Sequence, residues 1–466
     1  MREFGNKVFI VGIAGVSMSA IAKILIKQGK LVAGADIDYN GRVANELKNL
    51  GIDVVNQGFS NEIERFNPDS VIYSVAIKEN DTELVWARNN NKKIFNRGEA
   101  LGIITSEYKN VICISGSHGK TTTTALLTNI FNVGKLDFSA HIGGQSLDIN
   151  GNLRLGTSHE YFITEACEYF DSFLYLNPTI AVVLNVASDH LDYFKTEENL
   201  RRSFIKFTEK VKRDGCVVYS KDDCGASEVV KNSNTKANLY SFSVASKDAD
   251  CFILNYSKCS DGTMIADVSV LGEIIYSIHL PLVGEHNLKN LCASILVAKI
   301  LGIDSNQIKC GMSSTRGVKR RYERLGSISN IKFIHDYAHH PDEINAVIDE
   351  TRANMNENEK LMVVFESHTY SRTKNLWVEF VKALKKADIA IVLPIYPARE
   401  LPIEGITNKN LVVSILGSGG NALSAENYED AEKLMYECCD NSGAVCLLLG
   451  AGNIDKFGDY LFRNKI

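Results

Sequence analysis

The chain has 466 residues, 45% hydrophobic and 23% charged, with a net charge of −5 and a pI of about 6.1. That length suits about three domains of roughly 150 residues, and the balance offers no basic stripe for a nucleic-acid partner. No apolar run approaches the roughly 18 residues that cross a bilayer, and Met1 to Lys7 lack the apolar core of a signal peptide, so a cytoplasmic protein with no membrane partner is expected.

The first expected unit is a strand over 7–12, a turn through Ile13 to Val16, a helix over 17–28 and a second strand over 31–36. Gly12 and Gly15 make a partial G-x-G-x-x-G, and Asp36 stands 24 residues beyond Gly12, where dinucleotide-binding domains place a ribose-binding acid. Taken alone, this stretch would suit an NAD enzyme. The pattern ends around 97–109, and a second strand over 110–115 leads into a turn and a helix from Lys120. The region 217–279 holds short β-like runs (217–220, 239–244, 251–256, 264–271 and 273–280), expected to add a small, partly antiparallel sheet to the second domain. A dense basic stretch over 316–326 marks the next boundary. A third unit follows, with a strand over 331–335, a turn through Ala338 to Pro341 and a helix from Asp342. The strands are nearly continuous apolar runs, as in parallel sheets buried on both faces, and such sheets bind ligands at their carboxyl ends. The eleven cysteines form no Cys-x-x-Cys, and several (Cys113, Cys292, Cys446) sit inside apolar runs, as buried reduced thiols do.

The sharpest local signal is Gly116-Ser117-His118-Gly119-Lys120-Thr121-Thr122, between a strand and a helix. Glycines let backbone amides approach phosphate oxygens, the helix start adds positive charge, Lys120 reaches the phosphates as an exposed loop lysine, and Thr121 can ligate Mg2+. The loop is shorter than a Walker A loop, because Ile114 stands where its first glycine would be. Two further strand ends supply candidate metal ligands, Glu165 and Glu168 in one and Asp189 and His190 in the other. Strand alternation would turn Cys167 away from Glu168. His286, Asn287 and Asn290 share one face of a helix start and could hold a purine, or could simply cap and solvate it. In the last third, His335-Asp336-Tyr337-Ala338-His339-His340 and His368 to Arg372 gather His, Asp and Arg at two strand ends, an anion-handling pattern with no zinc-like spacing.

These segments, with Glu-Ala-Cys-Glu-Tyr, Gly-Glu-His-Asn, Gly-Val-Lys-Arg-Arg-Tyr-Glu, Asp-Tyr-Ala-His-His-Pro, His-Thr-Tyr-Ser-Arg-Thr, Tyr396-Pro-Ala-Arg399-Glu400 and Gly450-Ala-Gly-Asn453, run in order over essentially the whole chain and resemble the Mur ligases. The last four motifs resemble most the members that add L-alanine to UDP-N-acetylmuramate. The resemblance implies an α/β fold of three domains. A Rossmann-like domain over 1–107 would hold the UDP substrate, with Gly12, Gly15 and Asp36. A central P-loop-type ATPase domain would cover 108–320, and a Rossmann-like domain over 321–466 would take the amino acid. ATP would lie on Gly116, Ser117, His118, Gly119, Lys120, Thr121 and Thr122, with His286, Asn287 and Asn290 at its adenine. Thr121 and Glu168 would hold one Mg2+, and His190 with Glu168 a second. Arg321 would reach the γ-phosphate. Asp336 and His339 would complete the nucleotide side, and His368 and Arg372 would receive alanine. A monomer or weak homodimer is expected. The chain departs from the usual family pattern at Ala14 and Ser17 (commonly Gly), Cys167 and His335 (commonly Asp) and Thr369 (often Arg).

Overall fold

The computed structural model describes residues 4–187, 190–398, 400–439 and 443–463. Asp189 and Arg399, both in the motifs above, lie outside the described residues. Three sheets carry the chain, one for each expected α/β domain. The first has five strands in the order Asp53–Asn56, Leu31–Asp36, Lys7–Val11, Ser70–Tyr73 and Lys93–Asn96, all parallel. Its buried pattern follows strand alternation: Val8 and Ile10 enter one apolar cluster, Phe9 and Val11 the other.

The second sheet has ten strands. Its parallel centre holds Asn110–Ser115 between Ile180–Val183 and Tyr161–Glu165. The runs expected to add a small, partly antiparallel sheet to this domain extend its main sheet instead. Cys216–Ser220, Asn238–Ser243 and Cys251–Lys258 continue it in parallel, and the outer pair Met264–Val270 and Glu273–Leu280 is antiparallel, as is the pair Ser139–Ser146 and Gly151–Arg154 at the other edge. Short runs could not tell the two arrangements apart, because the pairing partner of a strand is not written in its own residues.

The third sheet has six strands: Glu323–Ile328, Ile331–Asp336, Ala444–Leu449, Lys360–Phe365, Ile389–Val392 and Ala422–Ser424. The first pair is antiparallel and the others parallel. Leu361, Val363 and Phe365 face one core, Met362 and Val364 the other.

The chain packs as two compact units. One comprises Met1–Ser257, Met264–Pro281 and Glu285–Arg316 and so holds the first two sheets; the other comprises Lys258–Thr263, Leu282–Gly284 and Gly317–Ile466. Within the first unit the two sheets share one apolar core, which runs from Leu101 and Ile104 to Phe173 and Leu176. The helix Arg97–Thr105, started by a reciprocal Asn96–Glu99 capping box, presses on the segment Tyr169–Tyr175. A Cβ at Gly102 would sit 2.4 Å from the Tyr175 carbonyl oxygen. In the second unit the helix Pro341–Asn354 begins with a capping box between His340 and Glu343 and a proline in its first turn. Glu366 follows the strand Lys360–Phe365 and lies at the start of the helix Ile454–Arg463, 6% exposed. Burial raises its pKa from 4.5 to about 7, against the opposing pull of the Asn453 and Ile454 amides and of Arg320.

Two stability predictions follow from this packing. Gly102→Ala should lower the urea midpoint, by about 1–3 kcal/mol of stability, although helix propensity alone would gain about 1 kcal/mol. An unchanged or higher midpoint would mean that the helix is not seated on Tyr175. Glu366 binds its proton more tightly when folded, so its contribution is full below 4.5 and is lost as pH rises through about 7. Glu366→Gln should therefore match the parent near pH 4.5 and exceed it at pH 8, by on the order of 3 kcal/mol. Parallel stability–pH curves for the two proteins would contradict this.

Candidate functional site

The phosphate loop is built at the carboxyl end of the central strand Asn110–Ser115 and is fixed by the strand beside it. Ser117 Oγ and the Ala187 backbone exchange hydrogen bonds of 3.0 Å. The Asn185 side chain receives the His118 amide at 2.8 Å and donates to its carbonyl at 3.0 Å. Gly119 precedes the helix Lys120–Val133 with φ of 85°, and that helix start has no side-chain cap. Its first-turn amides are therefore directed out of the loop, the arrangement that accepts a phosphate.

Lys120 is not the exposed loop lysine expected. Its side chain is 15% exposed and folds back onto Glu168, with Nζ 3.1 Å from Oε1 and 3.0 Å from Oε2. Glu168 is fully buried. Burial pulls the Lys120 pKa down, but the charge and hydrogen bonding of Glu168, with Cys167 and Glu165, together outweigh it, and the group ends above its ordinary value. His190 Nε2 lies 3.9 Å from Glu168 Oε1, and its ring stacks on Tyr169 at 4.4 Å between centroids. Thr121, 8% exposed, follows Lys120 on the same helix. Among the described residues no three His, Cys, Asp or Glu side chains form a metal cage. Thr121, Glu168 and His190 still offer a hydroxyl, one buried carboxylate and one imidazole, a donor set that fits Mg2+ completed by phosphate oxygens. The strand alternation expected to turn Cys167 away does not reach it. The strand ends at Glu165, and the Cys167 thiol shares the electrostatic surroundings of Lys120, Glu168 and Arg97.

The helix His286–Ile300 packs on the phosphate-loop helix. Asn287 and Asn290 are buried, with Asn290 donating to Asn287 at 2.8 Å and accepting from Thr123 at 3.1 Å. A Cβ at Gly119 would meet Asn290 Oδ1 at 2.6 Å. These asparagines thus support the loop from below, while His286 is exposed. In the first sheet Gly12 and Gly15 form the turn after Lys7–Val11. Asp36 holds that turn through its carboxylate, which accepts the amides of Ala14 and Asp38, each at 2.9 Å.

The second unit carries its own cluster. Asp336 accepts the amides of Tyr322 at 2.7 Å and Ala338 at 2.8 Å, which fixes the chain around Arg321. Arg320 and Arg321 lie over the Tyr337 ring, 4.7 and 5.4 Å from its centroid. From Tyr337 a row of rings runs through His339 to His368 and Tyr396, with centroid distances of 5.2, 6.3 and 5.5 Å. Arg372 Nη1 lies 3.4 Å from His368 Nδ1. Burial, then Arg372, pushes the His368 pKa down to about 4, and burial also lowers that of His339, so both rings are neutral at neutral pH. Thr369, where an arginine often stands, caps the helix Tyr370–Asn375 by accepting the Arg372 amide.

The expected residues therefore fall into three groups: Gly12, Gly15 and Asp36; the phosphate loop with Glu168, His190, Asn287 and Asn290; and Arg321, Asp336, His339, His368 and Arg372. Sequence reasoning missed Asn185, which clamps the loop, Tyr169, which positions the His190 ring, and Tyr337, which carries two arginines. Only the place of Asn185 just after a strand could have pointed to it.

Three family models match: Mur ligase family, catalytic domain over residues 7–109; Mur ligase middle domain over 114–298; and Mur ligase, glutamate ligase domain over 320–452. The UDP-N-acetylmuramate–L-alanine ligase of Caldicellulosiruptor bescii is 38% identical, covering 99% of both chains, and that of Lachnospira eligens is 37% identical with the same coverage. Among solved structures, the UDP-N-acetylmuramate–alanine ligase of Thermotoga maritima superposes with a TM-score of 0.82 at 26% identity over 98% of each chain. A murein peptide ligase from Psychrobacter arcticus shares the fold, with a TM-score of 0.73 at 19% identity over 98% of each chain. From the first glycine turn to the last sheet, the chain belongs to the Mur ligase family.

Proposed function

We propose that this protein is an ATP-dependent ligase that forms the amide bond between the lactyl carboxylate of UDP-N-acetylmuramate and L-alanine, a step of peptidoglycan precursor synthesis. The buried Lys120–Glu168 pair under an uncapped glycine loop supports the reading most directly, in a chain that matches ligases of that name over 99% of its length. With the family established, the NAD reading of the first glycine turn gives way.

A carboxylate is a poor acyl donor. Its oxygen attacks the γ-phosphorus of ATP, the bond to ADP breaks, and an acyl phosphate forms. The alanine amine then attacks the acyl carbon and phosphate leaves. Gly116, Ser117, His118, Gly119, Lys120, Thr121 and Thr122 would cradle the ATP phosphates, with His286, Asn287 and Asn290 on the adenine side. Thr121, Glu168 and His190 would hold Mg2+, which supplies charge neutralisation at the transferring phosphoryl group. Lys120 and Arg321 would offset the repulsion between two anions. Asp336 would keep Arg321 in place, and His339 would complete the nucleotide side. His368 and Arg372 would receive the alanine carboxylate, and Gly12, Gly15 and Asp36 would form the UDP end. In this reading the domains span 1–107, 108–320 and 321–466, and the enzyme works in the cytoplasm as a monomer or weak homodimer. No helix among the described residues is long and apolar enough to cross a membrane. Phosphate release with UDP-N-acetylmuramate and a panel of amino acids tests the reading. L-alanine should support turnover best, and release with a tripeptide alone would sink it.

Lys120→Met should lower turnover by about two to four orders of magnitude. It also strands a buried carboxylate, at a cost of about 3–5 kcal/mol in stability. Adding Glu168→Gln should restore the stability and leave the activity lost. If the single variant unfolds like the parent, the ion pair is not formed in solution.

Arg372→Lys removes a planar fork that matches a carboxylate. The KM for L-alanine should rise roughly 30- to 150-fold, corresponding to about 2–3 kcal/mol, with that for ATP nearly unchanged. Equal changes in both constants would assign Arg372 to folding instead.

A further inference from the structure

Arg97 opens the helix Arg97–Thr105 at the carboxyl end of the strand Lys93–Asn96, in the first unit. It is half-buried, and among the described residues its guanidinium has neither an ion pair nor a hydrogen bond. A cation held partly out of water without a carboxylate is costly unless an anion arrives. Two side chains feel its charge: His141, on the strand Ser139–Ser146, and Cys167, the neighbour of Glu168. The charge of Arg97 thus reaches a buried imidazole of the second sheet and the residue next to Glu168.

His141 adds an independent observation. It is 3% exposed, and its Nε2 has no hydrogen-bond partner. Its Nδ1 lies 3.2 Å from Thr164 Oγ1, and that hydroxyl donates to the Glu165 carbonyl. The hydroxyl must then accept from Nδ1–H, which leaves Nε2 as a bare lone pair. Burial, then Arg97, lowers this ring's pKa to about 3, so it is neutral. The helix Val16–Lys27, which packs on the strand of His141, starts without a side-chain cap, and the buried Ser17 Oγ there also lacks a partner among the described residues. Asn152 donates to the Val16 carbonyl at 2.7 Å and ties this turn to the second sheet. A half-buried guanidinium without an ion pair, whose charge reaches a buried lone pair, suits an oxyanion that carries an N–H or O–H donor next to it.

We propose that Arg97 is the anion contact for the acceptor: its guanidinium holds an oxyanion of the sugar nucleotide, and His141 Nε2 accepts from a neighbouring amide or hydroxyl of the sugar. The inference rests on the acceptor named under the proposed function. Two groups of that acceptor share the chemistry, the pyrophosphate and the lactyl carboxylate.

Calorimetric titration of the full chain separates them. UDP-N-acetylglucosamine has the same pyrophosphate and lacks the carboxylate. Arg97→Ala should weaken UDP-N-acetylmuramate roughly 10- to 100-fold, as expected for one charge-assisted contact, while Mg-ATP affinity stays within about twofold. A loss shared by both sugar nucleotides assigns the pyrophosphate, and a loss confined to UDP-N-acetylmuramate assigns the carboxylate; each supports the proposal. Unchanged affinity for both overturns it, as does an equal fall in Mg-ATP affinity, which would make Arg97 a packing residue. If the unaltered protein binds neither sugar nucleotide, the proposed function fails first and this inference with it.

Discussion

A fully buried carboxyl must either keep its proton or meet donors and a cation, and in this protein Glu168 meets the cation of Lys120. Desolvating both groups costs several kcal/mol per ion, which only close geometry recovers. That requirement explains much of the surrounding construction. The lysine stands at the first position of a helix whose preceding loop is clamped by Asn185, Ser117 and Ala187. The glutamate follows the next strand of the same sheet, and the two strands are in parallel register from Asn110 to Ile114. A nucleotide and its metal would meet a pair already held together by mutual neutralisation, and would compete with Lys120 for the carboxylate.

Parallel sheets make such a centre possible. Every parallel strand ends on the same edge, so one edge of a sheet collects loops from distant parts of the chain. Asn110–Ser115, Tyr161–Glu165 and Ile180–Val183 bring the phosphate loop, Glu168 and His190 to one edge. The third sheet repeats the device with different chemistry, where Ile331–Asp336 and Lys360–Phe365 flank Ala444–Leu449 and end in Asp336 and in the segment leading to His368. In that unit Asp336 and Glu366 are buried within reach of the charges of Arg321 and Arg320. Arg320 and Arg321 also lie over the Tyr337 ring, and His368 beside them is neutral.

The positions where this chain departs from the common family pattern differ in consequence. Thr369 has a structural task, capping the short helix that carries Arg372. His335 is 3% exposed with an unpartnered Nε2, and burial, then the nearby Arg320, lowers its pKa to about 3. Cys167 stays close to the Lys120–Glu168 pair, as a thiol whose ionisation is disfavoured first by burial and then by Glu168.

Local physics determined much of what was legible in the residues. Apolar runs of strand length, glycine turns and capping residues located Leu31–Asp36, Asn110–Ser115 and Glu273–Leu280 to the residue, and the Gly116–Thr122 loop declared its chemistry through its own neighbours. These signals lie within a few positions of one another, which is the range over which backbone preference and hydrogen bonding act. What tertiary structure alone decided is pairing between residues far apart in sequence. It joined the late β-runs to one ten-stranded sheet, folded Lys120 onto Glu168 across 48 positions, placed Asn290 beneath Gly119, and left Arg97 without an ion pair among the described residues. Burial and electrostatic partnership are set by what the fold brings near, so a residue's own letter and its neighbours could name Lys120 as a phosphate lysine but could not say that it is buried.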